Sequence, residues 1–305
     1  MDQAVSLSYS REKLLHQLYE ATELEHNLMC TYLYAAFSLK SGAAEGLSPD
    51  EAAAVARWRE TILRVAVEEM GHLVAVWNIT AALGGSPRFG RGNFPLDPGM
   101  LPAGVIVKLA PFSEAVLQHF IFLERPAESD EPHGAGFARE FDFRRASSKP
   151  RLTPMGLDYE TVGTFYAMLG AGLQSFVAAV GEGAAFCGDP ALQLSSADVA
   201  LGGGKPVRCL HTALAAFDAI VQQGEGAPVV ATNSHFQKFI GIRHELAALK
   251  AANPDFAPAL SDSEGHERVD AGHRKQEDDH HWYPEDETQG IVGPALLFIH
   301  VLESS

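Results

Sequence analysis

The sequence predicts an all-α protein, a helical bundle with long loop insertions and at most one short strand. Three observations carry that expectation. Two long segments near the N-terminus repeat apolar residues at steps of three and four, the period of one face of a helix. Each begins at a capping signal and is free of internal proline. No repeat recurs at a fixed period of 20 to 50 residues, which argues against a solenoid or propeller.

Ser10 can cap the first helix, whose stripe runs Leu14, Leu18, Ala21, then Leu28, Tyr32 and Ala36. The position missing from that stripe is Glu25. The second helix opens at Ser48-Pro49-Asp50-Glu51, a capping box with proline at the first helical position, and stops at Gly84-Gly85 with Pro87 behind. About 35 residues at 1.5 Å each give it a length of roughly 50 Å. Its stripe, Val55, Trp58, Ile62, Val65, Glu69, His72, Val76, Ile79, Leu83, passes unbroken through a carboxylate and an imidazole.

Residues 86–112 are rich in Pro and Gly around Val105-Ile106-Val107, where a strand would lie. A helix capped by Ser113 and ending before Pro126 follows, then a polar excursion over 126–157 that reads as a lid or a loop. A third core helix is expected over roughly 159–186, with Val162, Tyr166, Leu169, Leu173, Phe176 and Val180 on one face. After Gly202-Gly203-Gly204 comes a helix with Leu210, Leu214, Phe217 and Val221, closed by Gly224-Glu225-Gly226. Ser234 caps the next, in which His235, Phe239, Ile242, Leu246 and Leu249 share a face. The bundle is expected to occupy residues 1–252. An acidic, His-rich segment and a C-terminal helix over 253–305 would pack on the same domain.

With 305 residues and 46% hydrophobic content, the chain can bury one large core. Lys and Arg number 23 against 39 Asp and Glu, a net charge of −16 that argues against nucleic acid and anionic membrane as partners. The cysteines Cys30, Cys187 and Cys209 lie too far apart for a C-x-x-C motif and suit a reducing compartment. No basic region followed by an apolar run opens the chain, and no apolar run approaches 18 residues. A cytoplasmic protein is the expectation.

The chemistry lies in the interruptions. An unpaired carboxylate in a helical core costs several kcal/mol, so Glu25 and Glu69 need a partner, a proton or a metal ion. Glu69 and His72 form Glu-x-x-His, whose members share a helix face and can bind one cation, as in carboxylate-bridged di-iron and di-manganese bundles. Glu225 and His235 sit at helix ends. The glycines around Glu225 could admit its carboxylate to a metal or simply end the helix, and His235 could be a ligand or a core histidine bonded to a carbonyl. Glu23 and Glu68 fall about 200° and 100° off the stripes, and His26 about 100° from Glu25, so these suit supporting or exposed positions. His266, His273 and His280, at seven-residue intervals, lie in a polar stretch that reads as a solvated tail. Gly202-Gly203-Gly204-Lys205 lacks the remaining residues of a phosphate-binding loop and reads as a connector.

Four segments, Glu23-Leu24-Glu25-His26-Asn27-Leu28-Met29-Cys30, Glu68-Glu69-Met70-Gly71-His72-Leu73, Gln223-Gly224-Glu225-Gly226 and Ser234-His235-Phe236, resemble in order and spacing the ferritin-like domain of the violacein-type iminophenylpyruvate dimer synthases. The resemblance covers roughly residues 10–250, with the Pro111-Phe112-Ser113 turn and the helix around Phe165-Tyr166. It implies a ferritin-like bundle with Glu25, Glu69, His72, Glu225 and His235 as metal ligands. It also implies an activity that couples two oxidised aromatic amino-acid imines. The six-ligand pattern of such bundles also calls for a Glu on the third core helix and a second Glu-x-x-His. Thr164 and Tyr166 stand where that Glu would be, which leaves one ion or two.

Together these features suggest a non-haem metalloprotein, an oxidase or oxygenase acting on a small organic molecule, which the resemblance implies is derived from an aromatic amino acid. Iron, as one or two ions, is the expected cofactor, with manganese as the other metal suited to these ligands. The alternative is iron binding or storage without turnover, which would require a homo-oligomeric cage. A metal-free helical scaffold is the third option, with Glu25 and Glu69 as protonated or hydrogen-bonded core groups.

Overall fold

A computed structural model describes residues 9–88, 107–137, 159–201, 204–224 and 233–260. The chain divides into two units, Met1–Asp262 and Ser263–Ser305, and all of the described residues belong to the first. The His266–His280 series and the C-terminal apolar segment lie outside the described residues.

Two long helices form the frame. Helix α1 (Arg11–Ser38) starts at Ser10, whose hydroxyl accepts from the Lys13 amide, and α2 (Pro49–Ala82) starts at the expected Ser48–Glu51 capping box. They pack along their length as an antiparallel hairpin. Leu14, Leu18, Ala21, Leu28, Tyr32 and Ala36 of α1 are all buried, as are Val55, Trp58, Ile62, Val65, Val76, Ile79 and Leu83 of the second stripe. A cap contributes about 1 kcal/mol. Each buried leucine or isoleucine contributes about 1.5–3 kcal/mol. The matched stripes, more than the caps, therefore hold the pair together.

Shorter helices cover this frame in two pairs. Helices α3 (Glu114–Leu123) and α7 (His235–Ala252) pack on each other, as do α4 (Val162–Val180) and α6 (Leu210–Gln223). The α3–α7 pair covers the C-terminal part of α1 and the N-terminal part of α2. There, Tyr32 meets Phe120 edge-on at 4.7 Å and Phe239 at 5.3 Å, and the Trp58 indole N–H donates to Glu245. The α4–α6 pair covers the opposite part, where Tyr166 packs on Phe217 and the Arg11 guanidinium lies over Phe176. A cluster of buried polar side chains lies where the two pairs meet, midway along both long helices.

The expected single helix over 159–186 is divided. α4 ends at Gly181, whose φ of 85° is left-handed, and a four-residue helix α5 (Glu182–Ala185) follows. Val180, expected on the buried face, is 43% exposed because the helix stops beside it. Helix α6 is rotated from the expected phase, burying Ala213, Phe217 and Ile220. Helix α4 is long and apolar enough to cross a membrane by length and composition, but half of it is buried in the bundle, as in a core helix.

No strand forms among the described residues. The only sheet-like contact there is an isolated antiparallel bridge between Leu39 and Ala259, and Val105 and Ile106 lie outside the described residues. That bridge brings the chain after α7 back onto the bundle, with Phe256 buried against Trp58. The first part of the 126–157 excursion is packed as well. His133 lies on Phe122, Phe137 on His119, and Glu131 takes both guanidinium nitrogens of Arg243 at 2.8 and 2.9 Å. Residues 138–157 lie outside the described residues.

Candidate metal centre

Five side chains converge at the junction of the helix pairs. Glu25 comes from the middle of α1, Glu69 and His72 from the middle of α2, Glu124 from the C-cap of α3 and His235 from the first residue of α7. His72 is 3% exposed and the other four are fully buried. Four of the five residues expected from the sequence are thus brought together. Glu225, the fifth, lies outside the described residues.

Glu124 was not expected. A sequence signal for it existed, since it stands four residues after Phe120 and continues that helical face. Its place at the helix end, next to Arg125-Pro126, weakens that signal, because polar residues are common there. It adds a buried carboxylate to the cluster, while Tyr166 stands on the helix where a Glu was sought.

Both imidazoles turn Nδ1 towards the carboxylates and Nε2 outwards. Nδ1 of His72 lies 3.0 Å from Glu69 Oε2 and 3.4 Å from Glu25 Oε2. Nδ1 of His235 lies 2.9 Å from Glu69 Oε1 and 3.5 Å from Glu124 Oε2. The two rings stack with centroids 5.7 Å apart. Glu69 is therefore shared, one oxygen facing each histidine. The groups Glu25–Glu69–His72 and Glu69–Glu124–His235 each hold their donor atoms within 4.8 Å of one another and could each hold a metal ion.

The outer atoms of the cluster are tied down. The hydroxyls of Tyr166 and Tyr32 donate to Oε1 of Glu25 and Oε1 of Glu124, respectively. His72 Nε2–H donates to Gln223 Oε1 at 3.2 Å, and His235 Nε2–H to Glu68 Oε2 at 2.7 Å. Lys238 donates to the same Glu68 oxygen at 2.6 Å. Glu68, off the stripe as expected, thus supports His235. Outward bonds of this kind fix the orientation of metal-ligating imidazoles. Tyr32 and Tyr166, which read as plain core from sequence, are carboxylate-holding residues; nothing in their spacing distinguishes that role from packing.

The inner atoms are different. Glu25 Oε2, Glu69 Oε1, Glu124 Oε2 and His235 Nδ1 are buried without a hydrogen bond, although some lie at hydrogen-bond distance. The 2.9 Å approach of His235 Nδ1 to Glu69 Oε1 lacks the angles of a hydrogen bond. His72 Nδ1 is the exception, sharing a hydrogen bond with Glu69 Oε2 at 3.0 Å. Buried polar atoms are rarely left without one, and four such atoms gathered at one junction fit a cation.

The electrostatics agree. Burial, with Glu69 beside it, pushes Glu25 up to about 7 against the pull of His72. Burial acts in the same sense on Glu69, but the His72 and His235 charges outweigh it and hold that carboxyl well below its ordinary range. Burial would lower both imidazoles, yet the facing carboxylates raise each well above its ordinary value: chiefly Glu69 for His72, and Glu124 then Glu69 for His235. Glu68 is half-buried, which raises it, but His235 and Lys238 bring it to about 2. The site is built to concentrate positive charge between carboxylates.

A family model described as ferritin-like matches residues 18–244. That span runs from α1 into α7 and contains every residue of the cluster. Among solved structures, the crystal structure of a ferritin-like protein from Caulobacter vibrioides is similar at 18% identity, covering 81% of this chain and 74% of that one with a TM-score of 0.49. No curated protein matches the chain. With a family match over well more than half its length, the chain belongs to the ferritin-like family.

Proposed function

We propose that this protein binds two transition-metal ions, iron in the first instance, at Glu25, Glu69, His72, Glu124 and His235, and uses them to oxidise a small organic molecule. The observation that carries this reading is the sharing of Glu69 between two buried carboxylate–imidazole groups, four of whose inner atoms, Glu25 Oε2, Glu69 Oε1, Glu124 Oε2 and His235 Nδ1, have no hydrogen-bond partner. One group has Glu25 and His72 as its remaining donors, the other Glu124 and His235. Carboxylate and imidazole donors suit iron and manganese. Bound iron would supply one-electron chemistry and an attachment point for dioxygen.

The chain's own residues fix the donors. Tyr166 and Tyr32 hold one oxygen of each terminal carboxylate and leave the other facing inwards. Gln223 and Glu68 accept the outer N–H of each imidazole and so keep Nδ1 aimed at the centre. Full burial of the carboxylates excludes bulk water and strengthens each of these interactions. The resemblance of residues 23–30 and 68–73 to the iminophenylpyruvate dimer synthases extends the reading to a substrate class, an imine derived from an aromatic amino acid, coupled oxidatively.

Anaerobic reconstitution with Fe²⁺ followed by metal analysis tests the reading. Two iron ions per chain are expected, and oxygen uptake should then depend on an added aromatic amino-acid imine. Absence of stoichiometric metal would sink the metalloprotein reading. Bound iron with no substrate-dependent oxygen uptake would sink the oxidase.

A further inference from the structure

The C-terminal end of α6 lies directly over the metal centre. Gln223 takes the outer N–H of His72, and the next residue, Gly224, caps the helix. A Cβ on Gly224 would lie 2.9 Å from Nδ1 of His235, 3.2 Å from its Cε1 and 3.4 Å from Oε2 of Glu124. The first distance is shorter than real Cβ contacts allow, so a neighbour would have to move. By contrast, a Cβ on Gly170, also packed between helices, would meet nothing closer than 3.5 Å.

Two of the atoms facing Gly224, His235 Nδ1 and Glu124 Oε2, are inner donor atoms of the centre. Neither residue is free to give way. His235 is fully buried, tied by Nε2 to Glu68 and stacked on His72. Glu124 is fully buried and held by Tyr32 at its other oxygen. Helix α6 cannot retreat without drawing Gln223 away from His72. The φ of Gly224 is −119°, outside the left-handed region.

Resting on the dinuclear reading above, we propose that Gly224 is a positioning residue of the centre. Its missing side chain lets the end of α6 close over the half made by Glu124 and His235. A methyl group there would displace those donors and empty that half, leaving the Glu25–Glu69–His72 half intact.

Anaerobic titration with Co²⁺, read by metal content per chain and by the ligand-field spectrum, tests this. Wild type should take up two ions, Gly224→Ala one, and Gly224→Ala/His72→Ala none. A Gly224→Ala protein that keeps two ions overturns the proposal. If Gly224→Ala does not fold, the comparison of His235→Ala with Gly224→Ala/His235→Ala decides. Removing the imidazole makes room for the methyl, so the two should bind one ion each and melt at the same temperature without metal. A double variant clearly less stable than His235→Ala would place the clash elsewhere and overturn the proposal. Wild type that takes up fewer than two ions removes the dinuclear reading, and the proposal with it, before any substitution is made.

Discussion

The two halves of the centre offer nearly the same donors by different means. In one half, Glu25 and His72 project from the middles of long helices, and a neutral amide, Gln223, holds the outer nitrogen of the histidine. In the other, Glu124 and His235 stand at a helix C-cap and a helix first position, and a carboxylate, Glu68, itself held by Lys238, plays the part of the amide. A mid-helix donor is fixed by the packing of the turns on either side of it. A donor at a helix end has one such turn, and here it is secured by side-chain bonds and by the close approach of Gly224. Similar sets of carboxylate and imidazole groups have been assembled from a rigid half and a clamped half.

Removing what the halves share should have the largest effect. Glu69→Ala deletes the carboxylate facing both imidazoles and should abolish binding of both ions. Breaking a buried pair costs roughly 3–5 kcal/mol, so thermal or urea unfolding without metal should fall by about that amount. One ion retained in Glu69→Ala would show that the halves do not depend on a common bridge.

The outer partners should affect one half each. Loss of an outer-shell partner to a metal ligand costs about 10–100-fold in affinity. Glu68→Gln should therefore weaken one of the two Co²⁺ binding steps by about 10-fold or more and leave the other unchanged. Gln223→Ala, which removes a neutral acceptor, should weaken the other step by less. Equal effects on both steps would erase the distinction between a rigid half and a clamped one.

The smallest expected effect is on pH dependence, and its sign follows from the directions of the shifts. His72 and His235 are raised, so the stability they contribute is complete below an ordinary histidine pKa and is lost as pH climbs through their folded values. Glu25, moved from 4.5 to about 7, likewise favours the folded state less as pH rises across that interval. Glu69 is lowered, and its contribution is lost only in acid. Without metal, stability should thus decline from weakly acidic to alkaline pH. Metal must displace these protons, so the rise in Tm on adding saturating Co²⁺ should be larger at about pH 8 than at about pH 5.5. A pH-independent rise would mean that the imidazoles and Glu25 are not ligands.

The same contrast explains what could be read in advance. Glu25, Glu69 and His72 were legible because each replaces an apolar residue inside an otherwise regular stripe, and all three are buried at the junction. A stripe has no such contrast at its ends, where polar residues are common as caps. Glu124, at the end of its helix, therefore gave no such contrast, and His235 remained balanced between ligand and core histidine. Tyr32 and Tyr166 could be placed in the core, but their hydroxyls meet Glu124 and Glu25 across 92 and 141 residues of chain. Nothing local encodes those pairings.

The sequence by itself determined the two long helices, their buried faces and the polar residues that interrupt those faces, because helical periodicity and capping are local properties written within a few turns. Tertiary structure decided which helix ends meet at the middle of the α1–α2 pair. It thereby added Glu124, made Glu69 a shared carboxylate and brought Gly224 against His235. Those outcomes depend on how separate elements pack over one another, a distance-dependent fact that no single helix's pattern contains.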